Sequence, residues 1–228
     1  MTPCPRFFQR LAMLALVVMA ASAMFGLTGC SVLSGGDHYP TRYTLDAGSS
    51  EPTSASTPST GYTLDLRPVS APDWLNSKRM LYRLDYANNA KLAAYTRSAW
   101  ADTPARLVGD NLRDALSASG LFPAVLANAS GQADLALQLE LTDFSQHFSS
   151  RTASQGRISA TATLLRADNG AVIAQKRFQT TAPASNANAV GGVAALAKAD
   201  TQLDRDIRQW LAHTLAHCGK TCPPPGQH

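Results

Sequence analysis

Leu135-Ala136-Leu137-Gln138-Leu139-Glu140-Leu141-Thr142 places a leucine at every second position. A β-strand turns successive side chains to opposite faces, so Leu135, Leu137, Leu139 and Leu141 share one face and Gln138, Glu140 and Thr142 the other. The stretch reads as a strand with one side in a core and the other wet. Ile158, Ala160, Ala162 and Leu164 repeat the alternation downstream. Asp168-Asn169-Gly170 then predicts a hairpin turn, because Asn and Gly accept positive φ at small cost, and residues 172–180 return as the partner. Residues 144–154 are polar with aromatic interruptions and read as a loop or ragged hairpin.

Upstream, residues 62–67 and 80–84 alternate in the same way. Pro68 and Pro72 interrupt regular pairing between them, and the turn formers Asn88-Asn89 lead into a returning strand at residues 92–97. Arg42-Tyr43-Thr44-Leu45 and residues 124–126 read as short strands. Asp102 or Thr103 can cap a first helix, with Pro104 in its first turn, where a missing N–H costs nothing. Leu107, Val108, Leu112, Ala115 and Leu116 form its apolar face, and Gly120 supplies the left-handed residue that ends it. A second helix follows Pro183, with Val193, Leu196, Leu203, Ile207, Trp210 and Leu211 as its stripe. Its polar side lacks the Lys/Arg excess of a lipid-binding helix, which favours packing on the sheet. The predicted fold is α+β, a mainly antiparallel sheet with two helices packed on one face.

The ends of the chain differ from its middle. Arg6 and Arg10 precede an apolar run over residues 11–27, and small residues close it at Leu27-Thr28-Gly29-Cys30. That order is a secretory leader. Its last four residues resemble the lipobox of bacterial lipoproteins, in which the chain is cut before a Cys that carries diacylglycerol and an acylated amino group. The resemblance puts a signal peptide over residues 1–29 and covalent lipid on Cys30. The competing reading, a membrane-spanning helix, has a run at the short edge of the ~20 residues required, and no basic cluster follows it. Two or three acyl chains would hold the protein where one alone binds marginally. Ser31 stands where an Asp would signal retention in the inner membrane, so the outer membrane of a Gram-negative cell, periplasmic face, is the expected address. Residues 30–40 form a lipidated tether and residues 41–216 the domain. Within the domain, residues 47–60 carry too little apolar mass to pack.

Residues 217–228 form a Cys/Pro-rich tail. With Cys4 in the leader and Cys30 modified, Cys218 and Cys222 are the remaining thiols. An oxidising compartment favours a disulfide between them. His213 and His217, four residues apart, would add the ligand types zinc accepts, although the spacing matches no known finger. A redox role would call for Cys-x-x-Cys.

The net charge of +4 falls to +2 once residues 1–29 leave. That excess is too small and too dispersed for nucleic acid. No P-loop, G-x-S-x-G elbow or dinucleotide fingerprint occurs, and Val190-Gly191-Gly192-Val193 matches none of them. Asp200, Asp204 and Asp206 read as a solvated helix face, with Arg208 spaced to pair with Asp204. Asp134, Glu140 and Asp143 bracket a strand but do not converge as an acid–base pair. The expectation is a protein without catalytic residues, cofactor or metal.

Several segments carry a family resemblance. They run from Tyr43-Thr44-Leu45 through Ala71-Pro72-Asp73-Trp74-Leu75, Tyr82-Arg83 and Tyr95 to Ala99-Trp100-Ala101-Asp102-Thr103-Pro104. Leu112-Arg113-Asp114-Ala115-Leu116 and Ser119-Gly120-Leu121-Phe122 complete the series. Over residues 40–215 the chain resembles the ABC-type transport auxiliary lipoproteins, the paraquat-inducible protein C-like companions of mammalian-cell-entry (Mce) domain proteins. The resemblance implies a non-catalytic subunit that docks an Mce assembly to the outer membrane, with a homo-oligomer as a further expectation. Trp74, Leu75, Phe144 and Phe148 are the aromatic and apolar candidates for its partner interface. The alternatives are an outer-membrane assembly lipoprotein that binds a β-barrel, or a lipid-anchored periplasmic enzyme or lipid carrier.

Overall fold

A computed structural model describes residues 39–45, 59–127 and 133–226. The leader, Cys30 and nearly all of the predicted 47–60 loop lie outside the described residues. In chain order the strands are β1 (Thr41–Tyr43), β2 (Leu64–Leu66), β3 (Arg79–Leu84), β4 (Asn89–Trp100) and β5 (Val125–Ala127). Then come β6 (Leu135–Phe148), β7 (Ser154–Arg166) and β8 (Val172–Pro183). The helices are a single turn, α1 (Asp85–Asn88), followed by α2 (Pro104–Ala118) and α3 (Ala189–His217).

All eight strands join one sheet, and β6 organises it. One edge of β6 pairs antiparallel with β7 from Leu135 to Phe148, and β7 pairs antiparallel with β8. The other edge is shared by successive pieces of one upstream segment. β2 runs parallel beside Leu135 to Leu137, Ser70 bridges Glu140, and β3 runs parallel beside Gln146 to Phe148. β5 and β1 add further parallel pairings, to β2 and β4.

The sheet is therefore mixed: its long ladders, β6 with β7 and β7 with β8, and the β3–β4 pair are antiparallel as expected, and short parallel pairings stand beside them. The parallel pairings arise because β2 and β3 run in the direction of β6, and the chain between them includes α2, the kind of crossover that parallel neighbours need. They are short and broken at Pro68 and Pro72, so alternation alone does not reveal them.

Residues 144–154, expected as a loop or ragged hairpin, form the hairpin: residues 144–148 continue β6, and β7 returns from Ser154 in register with Phe148. Leu141 is in register with Ala160 and Asp143 with Ser159, so Thr142 is an extra residue, a β-bulge. Thr142 donates its hydroxyl hydrogen to the Ser159 carbonyl at 3.1 Å. The bulge advances the side-chain phase by one, so the core face passes from Leu135, Leu137, Leu139 and Leu141 to Phe144, Gln146 and Phe148. Each of these seven residues is buried.

α2 buries Val108, Leu112 and Leu116, and Gly120 follows at φ +68°. Asp102 accepts the Thr103 N–H at 2.8 Å, while the side chain of Thr103, the N-cap residue, makes no capping bond. α3 starts where the Asn188 side chain accepts the Gly191 N–H at 2.9 Å. It buries Leu196, Leu203, Ile207 and Leu211 against β7 and β8 and touches α2. Its approach is close. A Cβ built on Gly156 of β7 would stand 2.6 Å from the Leu196 nitrogen. The predicted hairpin turn forms, with Gly170 at φ +72°. No helix among the described residues is long and apolar enough to cross a membrane.

Candidate docking surface and its supports

The four interface candidates separate by burial. Trp74 is 43% exposed, whereas Leu75, Phe144 and Phe148 are 0%, 1% and 7% exposed. Those three belong to the interior and cannot present a surface. Phe144 packs edge-on against Trp100 at 5.3 Å between ring centroids, and Phe148 against Tyr82 at 5.9 Å. The bulge at Thr142 turns both phenylalanines inward. Trp74 is set apart from Leu75 by a turn in which the Leu75 and Asn76 N–H groups donate to the Pro72 carbonyl. Between Ser70 and Tyr82 the chain uses twelve residues to pass six of β6. The surplus forms the loop that displays Trp74.

Two polar groups beyond the bulge escaped the sequence reading. Gln146, fully buried, accepts the Tyr95 hydroxyl at 2.9 Å and donates to Ser154 Oγ at 2.8 Å and to the Asn188 carbonyl at 3.2 Å. It thereby joins β4, β6, β7 and the start of α3. Burial, and then the neighbouring Tyr82, push the Tyr95 hydroxyl up to about 12, which keeps it a proton donor. A Cβ on Gly192 would meet Gln146 Oε1 at 2.1 Å, so that position needs glycine to admit the amide.

On the opposite face of β6, His147 Nε2 lies 3.1 Å from Ser145 Oγ and 3.1 Å from Asp143 Oδ2, and Nδ1 lies 3.0 Å from Asp85 Oδ2. A Ser, a His and carboxylates thus meet where the sequence suggested no such grouping. Ser145 is fully buried and donates to Asp143 at 2.6 Å, so its oxygen faces no substrate space. The cluster holds α1 to the end of β6.

Asp200 corrects the solvated-face reading. It is 1% exposed, and Asn111 of α2 donates to its Oδ2 at 2.6 Å. Oδ1 of Asp200 and Oδ1 of Asp204, one turn on, are buried with no hydrogen-bond partner. Burial pushes the Asp200 carboxyl up to about 7. Burial and then the neighbouring Asp200 push Asp204 up to about 9, against the pull of Arg208.

The described part of the tail packs onto the domain. Cys218 and Cys222 are joined by a disulfide with Cα atoms 5.6 Å apart, and Cys222 belongs to the core. Asp134 Oδ1 accepts the Gly226 N–H at 2.9 Å, while Oδ2 accepts the Thr63 N–H at 2.7 Å and the Thr63 hydroxyl at 2.9 Å. The His213 and His217 rings lie 4.4 Å apart. The disulfide withholds the two sulfurs that a zinc site with these histidines would require. Among the described residues no group of three or more His, Cys, Asp or Glu is placed to hold a metal.

The model of a family described as ABC-type transport auxiliary lipoprotein component matches residues 43–208. The crystal structure of protein XCC0632 from Xanthomonas campestris is similar at TM-score 0.65 and 22% identity, covering 80% of this chain and 98% of that one. The crystal structure of another, uncharacterized protein is similar at TM-score 0.58 and 16% identity, covering 76% and 99%. At these identities the two structures speak for the fold. No curated protein matches the chain.

Proposed function

The chain belongs to the ABC-type transport auxiliary lipoprotein family, and from that premise we propose that it docks an Mce-domain assembly of an ABC lipid transport system at the outer membrane. In this reading lipid on Cys30 anchors it to the periplasmic face, and the domain is a non-catalytic subunit. The observation that carries the reading is the family match itself, which begins at the last residue of β1 and runs through all the other strands and well into α3. The sealed position of Ser145 supports a role without covalent chemistry. Trp74, an exposed aromatic on a loop that two turn hydrogen bonds hold in shape, is the residue we assign to the partner.

The test is affinity purification of the lipidated protein from native membranes in mild detergent, followed by mass spectrometry. An Mce-domain protein with its permease and ATPase is the expected result. A barrel protein in their place, or no specific partner, would overturn it. Trp74→Ala should weaken the association about thirtyfold, as loss of an interface anchor does, at unchanged stability. Phe144→Ala should instead lower stability by about 3–5 kcal/mol.

A further inference from the structure

A groove opens where β4 departs from the ladder. Arg79 of β3 is in register with Ala99 and Leu81 with Ala94, so residues 95–98 stand opposite Met80 alone. A surplus of this kind lifts a strand out of the sheet and leaves space beside it. β1 lies on the other side of β4, with Arg42 in register with Ala99. Residues in register on neighbouring strands point to the same face. Arg42 and Arg79 therefore flank the single methyl group of Ala99, with Cα atoms about 10 Å apart, two strand spacings.

The groove they border has a volume of 310 Å³. Lys78, Thr96 and Ser98 also line it, and no acidic residue does. Arg42 and Arg79 are exposed, and neither makes an ion pair or side-chain hydrogen bond with the described residues. By contrast Arg106, Arg113 and Arg166 are each answered by an aspartate. Lys78 donates to the Ala101 carbonyl at 2.9 Å and lies 3.7 Å from Asp102, which fixes it at the groove wall.

Guanidinium groups match the oxygens of a phosphate with paired, charge-assisted hydrogen bonds. Two of them across a small residue, with hydroxyls alongside, make a seat for one phosphate group. Pro40 also lines the groove, and the ten residues back to Cys30 span at most about 35 Å when extended. We propose that this groove binds the phosphate of an anionic lipid headgroup at the surface to which the chain is tethered. The tethering clause rests on the Cys30 reading above; the chemistry of the groove does not.

The experiment uses the mature chain from residue 30 onward carrying Cys30→Ala, which removes the leader and the lipid anchor and leaves every described residue. Flotation is compared on vesicles of phosphatidylcholine alone and of phosphatidylcholine with phosphatidylglycerol. Expected is binding to the anionic vesicles only, weakened about thirtyfold by Arg42→Gln with Arg79→Gln. Lys176→Gln with Arg177→Gln removes the same charge from exposed positions on β8 and should leave binding intact. Unchanged unfolding midpoints in both pairs are expected, since all four side chains are exposed. Equal loss in the two pairs would reduce the attraction to net charge and overturn the site, as would absence of flotation by the parent. Inorganic phosphate should release the vesicles more effectively than chloride of equal ionic strength, and equal release would overturn a phosphate seat. Binding of inorganic phosphate without flotation would give the groove to a soluble phosphate and overturn the lipid assignment. None of these outcomes depends on whether an Mce-domain protein co-purifies, so either reading can fail alone.

Discussion

Asp200 and Asp204 occupy neighbouring turns of α3, each with one carboxylate oxygen sealed and unpaired. A carboxyl group so placed is easier to keep neutral than charged, which raises its pKa in the folded state above the ordinary 3.8. Between the unfolded value and the raised ones, the folded chain holds more protons than the unfolded chain. Stability must then fall as pH rises, progressively from about pH 4 to about pH 9. Urea unfolding should show a loss of several kcal/mol across that window. Asp200→Asn, which keeps an acceptor for Asn111, should flatten the dependence; an unchanged slope would dismiss the pair as its source. Nothing in residues 200–208 announces this. Acids alternating with arginines look like a wet helix face, and only the arrival of Asn111 from α2, 89 positions away, closes that face.

At the scale of elements, α3 fits β7 because Gly156 has no side chain where the helix backbone passes. Gly156→Ala would drive its methyl group into the Leu196 nitrogen at 2.6 Å. Backbone cannot step aside as the tip of a side chain can, so the substitution should cost about 1–3 kcal/mol in denaturant unfolding. The elements themselves were largely legible. The leucine alternation of β6, the Asn-Gly turn, Pro104 at the start of α2 and Gly120 at its end each state a local requirement that the fold meets. Two things were not. Pairing direction is a long-range property, and the short parallel contacts of β2 and β3 leave no local pattern. The bulge at Thr142 also shifts the alternation by one, so Phe144 and Phe148 fell outside the count that had identified Leu135 to Leu141. Three of the four interface candidates fail for related reasons. The residue types were suitable, but the side on which they lie is set by a single inserted residue in β6 and a single turn after Pro72.

For the whole molecule, the tail is a structural part of the domain. Cys222 sits in the core, and Gly226 reaches the carboxylate of Asp134 that already grips Thr63. Removing the disulfide with Cys218→Ser and Cys222→Ser should lower unfolding stability by about 2 kcal/mol, as expected for so small a ring, and leave the sheet intact. A greater loss, with the sheet itself melting, would show that the tail holds up more than its own contacts. The Asp134 carboxylate therefore holds Thr63 and Gly226 at once, two residues far apart in the chain, so whatever frees the segment beyond α3 also loosens the approach to β2.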